Sequence, residues 1–227
     1  MIFIGARLAG AADHAAAAES VSAEEAVSRL KAGNERFVRH EATHPDQGAE
    51  RIRALSGGQH PFAVILSCSD SRVPPEVVFD QGLGDVFVVR VAGNSIDDAV
   101  LGSIEYAVEH LGSRLVVVMG HEKCGAVQAA ISGHKEGGHI PSIARPIDPV
   151  VKQAQSQAGD PVHNAVVLNA RHVAGQLKSS EPLLKKRVAG GTVEVLSAVY
   201  SLESGRVQFD SASDAAGHNR AETKPKP

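Results

Sequence analysis

Residues 62–72 read Phe-Ala-Val-Ile-Leu-Ser-Cys-Ser-Asp-Ser-Arg, and residues 115–125 read Leu-Val-Val-Val-Met-Gly-His-Glu-Lys-Cys-Gly. Each stretch opens on a run of apolar, largely β-branched residues and closes on a polar segment. A third run of the same kind, Val86 to Val91, lies between them. None of the three alternates apolar with polar. Each therefore predicts a strand covered on both faces, as in a parallel sheet between layers of helices. Residues 97–111 carry a helical pattern that Gly112 ends as a C-terminal cap. Strand, helix and strand in that order make the chain α/β, with a central, mostly parallel β-sheet flanked by helices.

Working outward, Ser22-Ala23-Glu24-Glu25 has the form of a capping box. Val27, Leu30 and Phe37 follow at helical spacing, which predicts an N-terminal helical arm over 22–39. Residues 134–149, rich in Gly and Pro, read as a loop. Helices are expected over 149–158 and 162–178. Thr192 to Leu202, the turn Glu203-Ser204-Gly205 and Arg206 to Phe209 read as a C-terminal β-hairpin. The expected organisation is a flexible or processed arm over 1–21, a single domain over 22–210 and a disordered polar tail over 211–227.

Composition excludes several classes. The chain has 227 residues, 43% hydrophobic and 22% charged, enough for one domain with a substantial core. A formal charge of -3 gives no electrostatic reason to expect nucleic acid or an anionic membrane as partner. No stretch approaches the ~20 apolar residues of a membrane helix. The expected location is the cytoplasm, with the periplasm as the alternative if the N-terminal arm is a trimmed signal segment. With two cysteines, Cys68 and Cys124, a disulfide-dense scaffold is excluded.

The chemistry sits where two strands run out. Cys68-Ser69-Asp70-Ser71-Arg72 follows the first run, and His121-Glu122-Lys123-Cys124-Gly125 follows the third. The carboxyl ends of neighbouring strands in an open α/β sheet line one crevice. Two thiolates and an imidazole meeting there form a borderline-soft donor set suited to tetrahedral zinc, with a fourth position left for water. Asp70 can reach the metal as a fourth ligand in a closed state, or pair with Arg72, whose planar fork matches a carboxylate. Pairing opens the fourth position; ligation closes it.

At these residues the chain resembles the β-carbonic anhydrases, in their Cys-x-Asp-x-Arg and His-x-x-Cys motifs. The resemblance spans about 22–210 and includes Asn34-Glu35-Arg36-Phe37, Arg90-Val91-Ala92-Gly93-Asn94 and Gly102-Ser103-Ile104-Glu105-Tyr106-Ala107-Val108. It implies one zinc ion per chain held by Cys68, His121 and Cys124, with Asp70 and Arg72 as a dyad that keeps the water position free. It also implies a dimer, or a dimer of dimers, with the pocket at the dimer interface. Gln59, nine residues before Cys68, stands where plant-type members carry a pocket glutamine. Phe87 and Tyr106 would line the apolar side, and the Gly125 amide would face the bound anion.

The reaction implied is reversible hydration of carbon dioxide to bicarbonate and a proton, by attack of zinc-bound hydroxide. Zinc lowers the pKa of its water to about 7, and two thiolates keep that value higher than three imidazoles would. Eleven histidines leave the proton relay unassigned. The alternatives are hydrolysis of carbon disulfide or carbonyl sulfide on the same zinc site, and a non-catalytic zinc-binding module with Asp70 as permanent fourth ligand.

Overall fold

The computed structural model describes residues 21–135 and 137–210. Of the arm expected over 1–21, all but Val21 lies outside the described residues, as does the tail expected over 211–227. In chain order the elements are α1 (Ala23–Val38), α2 (Ala49–Ala54), β1 (Ala63–Ser67), α3 (Pro75–Val78), β2 (Val86–Arg90), α4 (Asp98–His110) and β3 (Leu115–His121). There follow α5 (Gly125–Ile131), α6 (Pro141–Ala144), α7 (Asp148–Ser156), α8 (Pro161–Ser179), α9 (Leu184–Ala189), β4 (Glu194–Tyr200) and β5 (Val207–Phe209).

Among the described residues the strands form one sheet in the order β2-β1-β3-β4-β5. The first four are parallel, and β5 returns antiparallel to β4 as the second arm of the hairpin. The strands lack alternation because both sheet faces are covered. Ala63, Ile65, Leu115, Val117 and Met119 point into one core with Ala26, Leu30, Val127, Val150 and Ala154. Val64, Leu66, Val116 and Val118 point into the other with Ile104, Val108, Ala170, Val173 and Leu177. Successive residues of a strand thus feed opposite layers.

β2 departs from expectation. It is half-buried rather than fully covered, because it ends the sheet and pairs on one side with β1. Its other edge is unpaired among the described residues, the arrangement that invites strand addition.

α1 is capped by Ser22, whose Oγ accepts from the Glu25 amide at 3.1 Å. The Glu25 carboxylate accepts from Arg29 Nε at 2.9 Å. Two buried groups fasten the helix to the body. Asn34 Nδ2 donates to the carbonyls of Val78 and Gly205, and its Oδ1 accepts from the Val207 amide at 2.8 Å. The Asp80 carboxylate, fully covered, accepts from Arg36 Nε at 2.6 Å and from the amides of Thr43 and His44. Burial alone would raise the Asp80 pKa, but the Thr43 amide, the Arg36 guanidinium and the His44 amide outweigh it and lower it to about 2.

The segment expected as a loop over 134–149 holds α6 and a 3₁₀ turn at Arg145–Ile147, both short and Pro-initiated. α2, α3 and α9 are likewise too short for a periodic signal. No helix among the described residues is long and apolar enough to cross a membrane.

Candidate metal centre

β1 and β3 are adjacent, with Ser67 level with Met119. The residues that follow their carboxyl ends therefore emerge side by side. The ligating atoms of Cys68, His121 and Cys124 all lie within 4.8 Å of one another, and all three residues are buried. His121 and Cys124 turn toward one point because Lys123, between them, takes a left-handed conformation (φ 53°). For a side chain with a Cβ that conformation is strained, and such strain persists where the surroundings over-determine it.

Three features fit a metal. Both cysteines are free thiols rather than a disulfide. His121 Nδ1 lies 2.8 Å from the Glu122 carbonyl, so it carries the proton and leaves Nε2 as the lone-pair donor. That Nε2 is buried with no hydrogen-bond partner among the described residues, and an unsatisfied buried acceptor is costly unless a cation receives it. The thiols are polarised to match. Cys124, donating to Cys68, holds the Cys68 thiol well below its ordinary range. Bonding to Cys68 and burial push Cys124 up, while the amides of Val127 and Ala126 at the start of α5 favour its thiolate.

Asp70 is engaged elsewhere. Arg72 Nε donates to Oδ1 at 2.9 Å and its terminal nitrogen to Oδ2 at 2.7 Å, a bidentate pair, and the Arg72 amide adds a third bond. These bonds hold the Asp70 carboxyl well below the usual carboxylate range, the Arg72 side chain first among them. Oδ2 nevertheless stands 3.9 Å from His121 Nε2, at the border of the cluster. The Arg72 side chain is 52% exposed, so the pair adds little to stability, about 0–1 kcal/mol. Its effect is on where the carboxylate points.

Two supports were not assigned from the sequence. Arg90, the last residue of β2, donates to the carbonyls of Cys68 (3.0 Å) and Asp70 (2.6 Å) and so shapes the turn that carries Cys68, Asp70 and Arg72. The Gly93 amide donates to Cys68 Sγ at 3.3 Å. Both belong to the Arg90 to Asn94 stretch quoted above, which was the available signal. Gly125 follows Cys124 directly and opens α5 beside the cluster.

The remaining expected pocket residues are not gathered at this centre within one chain. Phe87 is level with Val64, four positions before Cys68, or about 13 Å down the sheet. Tyr106 stays with Phe87, its ring centroid 6.4 Å away, and is 48% exposed. Gln59 precedes Pro61, whose carbonyl is bound by Ser113 just before β3 begins. Gln59 therefore sits at the amino end of the sheet, opposite the metal end. A cavity of about 890 Å³ between α8 and β4 is also remote from the cluster.

The family model "Carbonic anhydrase" matches residues 63–207. Carbonic anhydrase 2 of Mycobacterium tuberculosis is 42% identical over 181 residues, covering 78% of this chain and 87% of its own. The carbonic anhydrase of Mycolicibacterium smegmatis is 42% identical over 186 residues, covering 80% and 90%. Among solved structures, a tetrameric β-carbonic anhydrase of Sordaria macrospora superposes with TM-score 0.66 at 26% identity, covering 78% of this chain and 93% of that one. A mostly parallel sheet with a Cys, His, Cys cluster at its carboxyl end defines a zinc enzyme of the α/β class. The chain belongs to the β-carbonic anhydrase family.

Proposed function

We infer that this chain catalyses the reversible hydration of carbon dioxide with one zinc ion held by Cys68, His121 and Cys124. The observation that carries the reading is a three-donor cluster whose neighbouring carboxylate, Asp70, is turned away by Arg72. Zinc, when bound, acidifies a coordinated water and makes the nucleophile available near neutral pH. The protein's own groups do the rest. Asp70, kept ionised by Arg72, accepts a hydrogen bond beside His121 and orients the attacking oxygen. The Gly125 amide offers a donor to the developing anion. The bidentate pair also speaks against the non-catalytic module, which requires Asp70 on the metal.

The pocket is completed by a second copy. The unpaired edge of β2 is apolar at Val86, Phe87, Val88 and Val89. Two such edges pairing antiparallel about Val88 would set the partner subunit's Phe87 opposite Val89, one place from Arg90. The partner's Tyr106 follows it, and both meet the turn that holds Cys68 and Asp70. This pairing supplies the apolar slot that a single chain lacks, and Gln59 enters with it. Self-association agrees with the tetrameric relative named above. His110 lies one turn after Tyr106, with ring centroids 5.2 Å apart. An exposed imidazole on that face is suited to carry the product proton to solvent.

Zinc content and carbon dioxide hydration rate, measured for the wild type and Cys68→Ser, test the reading. The variant should lose both; normal turnover without the Cys68 sulfur would end it.

A further inference from the structure

Gly93 and Asn169 stand behind Cys68, and the reaction as described uses neither directly. Gly93 has φ 75° and is buried. A Cβ there would stand 2.9 Å from Ala126 Cβ and 3.0 Å from Ile147 Cδ1, so no side chain fits. Its amide points at Cys68 Sγ and its carbonyl points the other way, to Asn169 Nδ2 at 3.0 Å. Glycine leaves both flanking peptide planes free to rotate. The Asn94 amide, on the same peptide unit as the Gly93 carbonyl, donates to the Val91 carbonyl at 2.9 Å, and the carbonyl oxygen needs a second hold if the amide is to stay on the sulfur.

Asn169 is an unusual residue for its place. It is 1% exposed in the middle of α8, among Val166, Ala170 and Val173, and its Oδ1 has no partner among the described residues. A buried amide with half its capacity unmet costs about 1–3 kcal/mol. Leucine, of similar size, would fill the space without that cost. The hydrogen bond Asn169 makes is the one to the Gly93 carbonyl, 76 residues away.

We propose that Asn169 is a positioning residue for the metal centre. By pinning the Gly93 carbonyl it holds the Gly93 N–H on the Cys68 sulfur, and so limits how much electron density that thiolate gives the metal. A hydrogen bond to a ligating thiolate withdraws charge from it and leaves the ion a stronger Lewis acid. Loss of the pin lets the Gly93 peptides rotate and the thiolate donate more. The inference rests on Cys68 being a metal ligand.

The test uses the full-length protein with substituted metals, and its readouts are spectroscopic. With cadmium-113 bound, the Cys68 β protons should show scalar coupling to the metal, and so should the Gly93 amide proton, through the N–H···S bond. Missing β-proton coupling would remove the ligand assignment itself. Present β-proton coupling with none from the Gly93 amide would overturn this inference alone. In Asn169→Leu, the Gly93 coupling should vanish, and the thiolate-to-cobalt charge-transfer band of the cobalt(II) enzyme should move to longer wavelength at unchanged stoichiometry. An unmoved band with Gly93 coupling retained would overturn the role of Asn169. Should N169L not fold, Asn169→Ser, which opens space instead of filling it, is read in the same way.

Discussion

The two ends of the sheet are built on different plans. At the carboxyl end, β1 and β3 deliver three side chains that could hold a metal, with the Asp70–Arg72 pair beside them, into one cluster from a single chain. At the amino end and along the edge of β2, Phe87, Tyr106 and His110 form an aromatic row that faces outward, some 13 Å from the metal site by strand register. One end is complete and buried; the other is exposed and unfinished. A ligand set must be rigid to better than an ångström, which covalently continuous strands provide. An apolar slot for a small uncharged gas tolerates looser construction and can be borrowed from a second subunit.

Breaking the complete end should have the largest effect. Arg72→Ala frees Asp70 to approach the metal, so turnover should fall about 100-fold with zinc still bound at one per chain, as on loss of other residues that orient a metal site. Its melting temperature should hardly move, because the pair is half-exposed. Full activity in this variant, checked against its zinc content, would remove the dyad from the mechanism.

Mixing two damaged chains tests the unfinished end. Cys68→Ser lacks the metal, and Tyr106→Ala lacks the aromatic row. In a mixed dimer one of the two pockets combines the sound cluster of one chain with the sound row of the other. Refolding an equal mixture should therefore restore about a quarter of wild-type activity, above the sum of the separate variants. No gain on mixing would place each pocket within one chain. His110→Ala should slow turnover several-fold in weak buffer and recover when imidazole is added, as expected when a proton carrier is lost. Indifference to added imidazole would dismiss it.

The smallest effect belongs to neither end. Asp80, with its pKa lowered to about 2, binds its proton less readily folded than unfolded, where a carboxylate titrates near 4. Its contribution is thus complete above the unfolded value and is lost as pH falls through about 4 toward 2. It amounts to at most about 3 kcal/mol. In Asp80→Asn, denaturant midpoints should be lower at neutral pH and should fall less on acidification than in the wild type. Equal acid sensitivity in both would clear Asp80 of that role.

Much of this was legible in the sequence where the signal was local. The unbroken apolar runs announced strands covered on both faces, and the cores on either side of β1 and β3 bear that out. Ser22 announced the start of α1, and Gly112, at φ 77°, the end of α4. Elements of four to six residues such as α3 and α9 carried no periodicity to read. The second contacts of the ligands were hidden for a different reason. Asn169 meets Gly93 across 76 positions, and no spacing rule connects them.

By itself, the sequence determined which atoms could bind a metal and that two strand ends would present them. That follows because side-chain chemistry and strand periodicity are properties of short stretches. Tertiary structure alone decided that Asp70 lies against Arg72, that Arg90 and Gly93 stand behind Cys68, and that β2 ends the sheet among the described residues. Those facts depend on the order of strands and the distances across them, which a linear chain does not carry until it has folded.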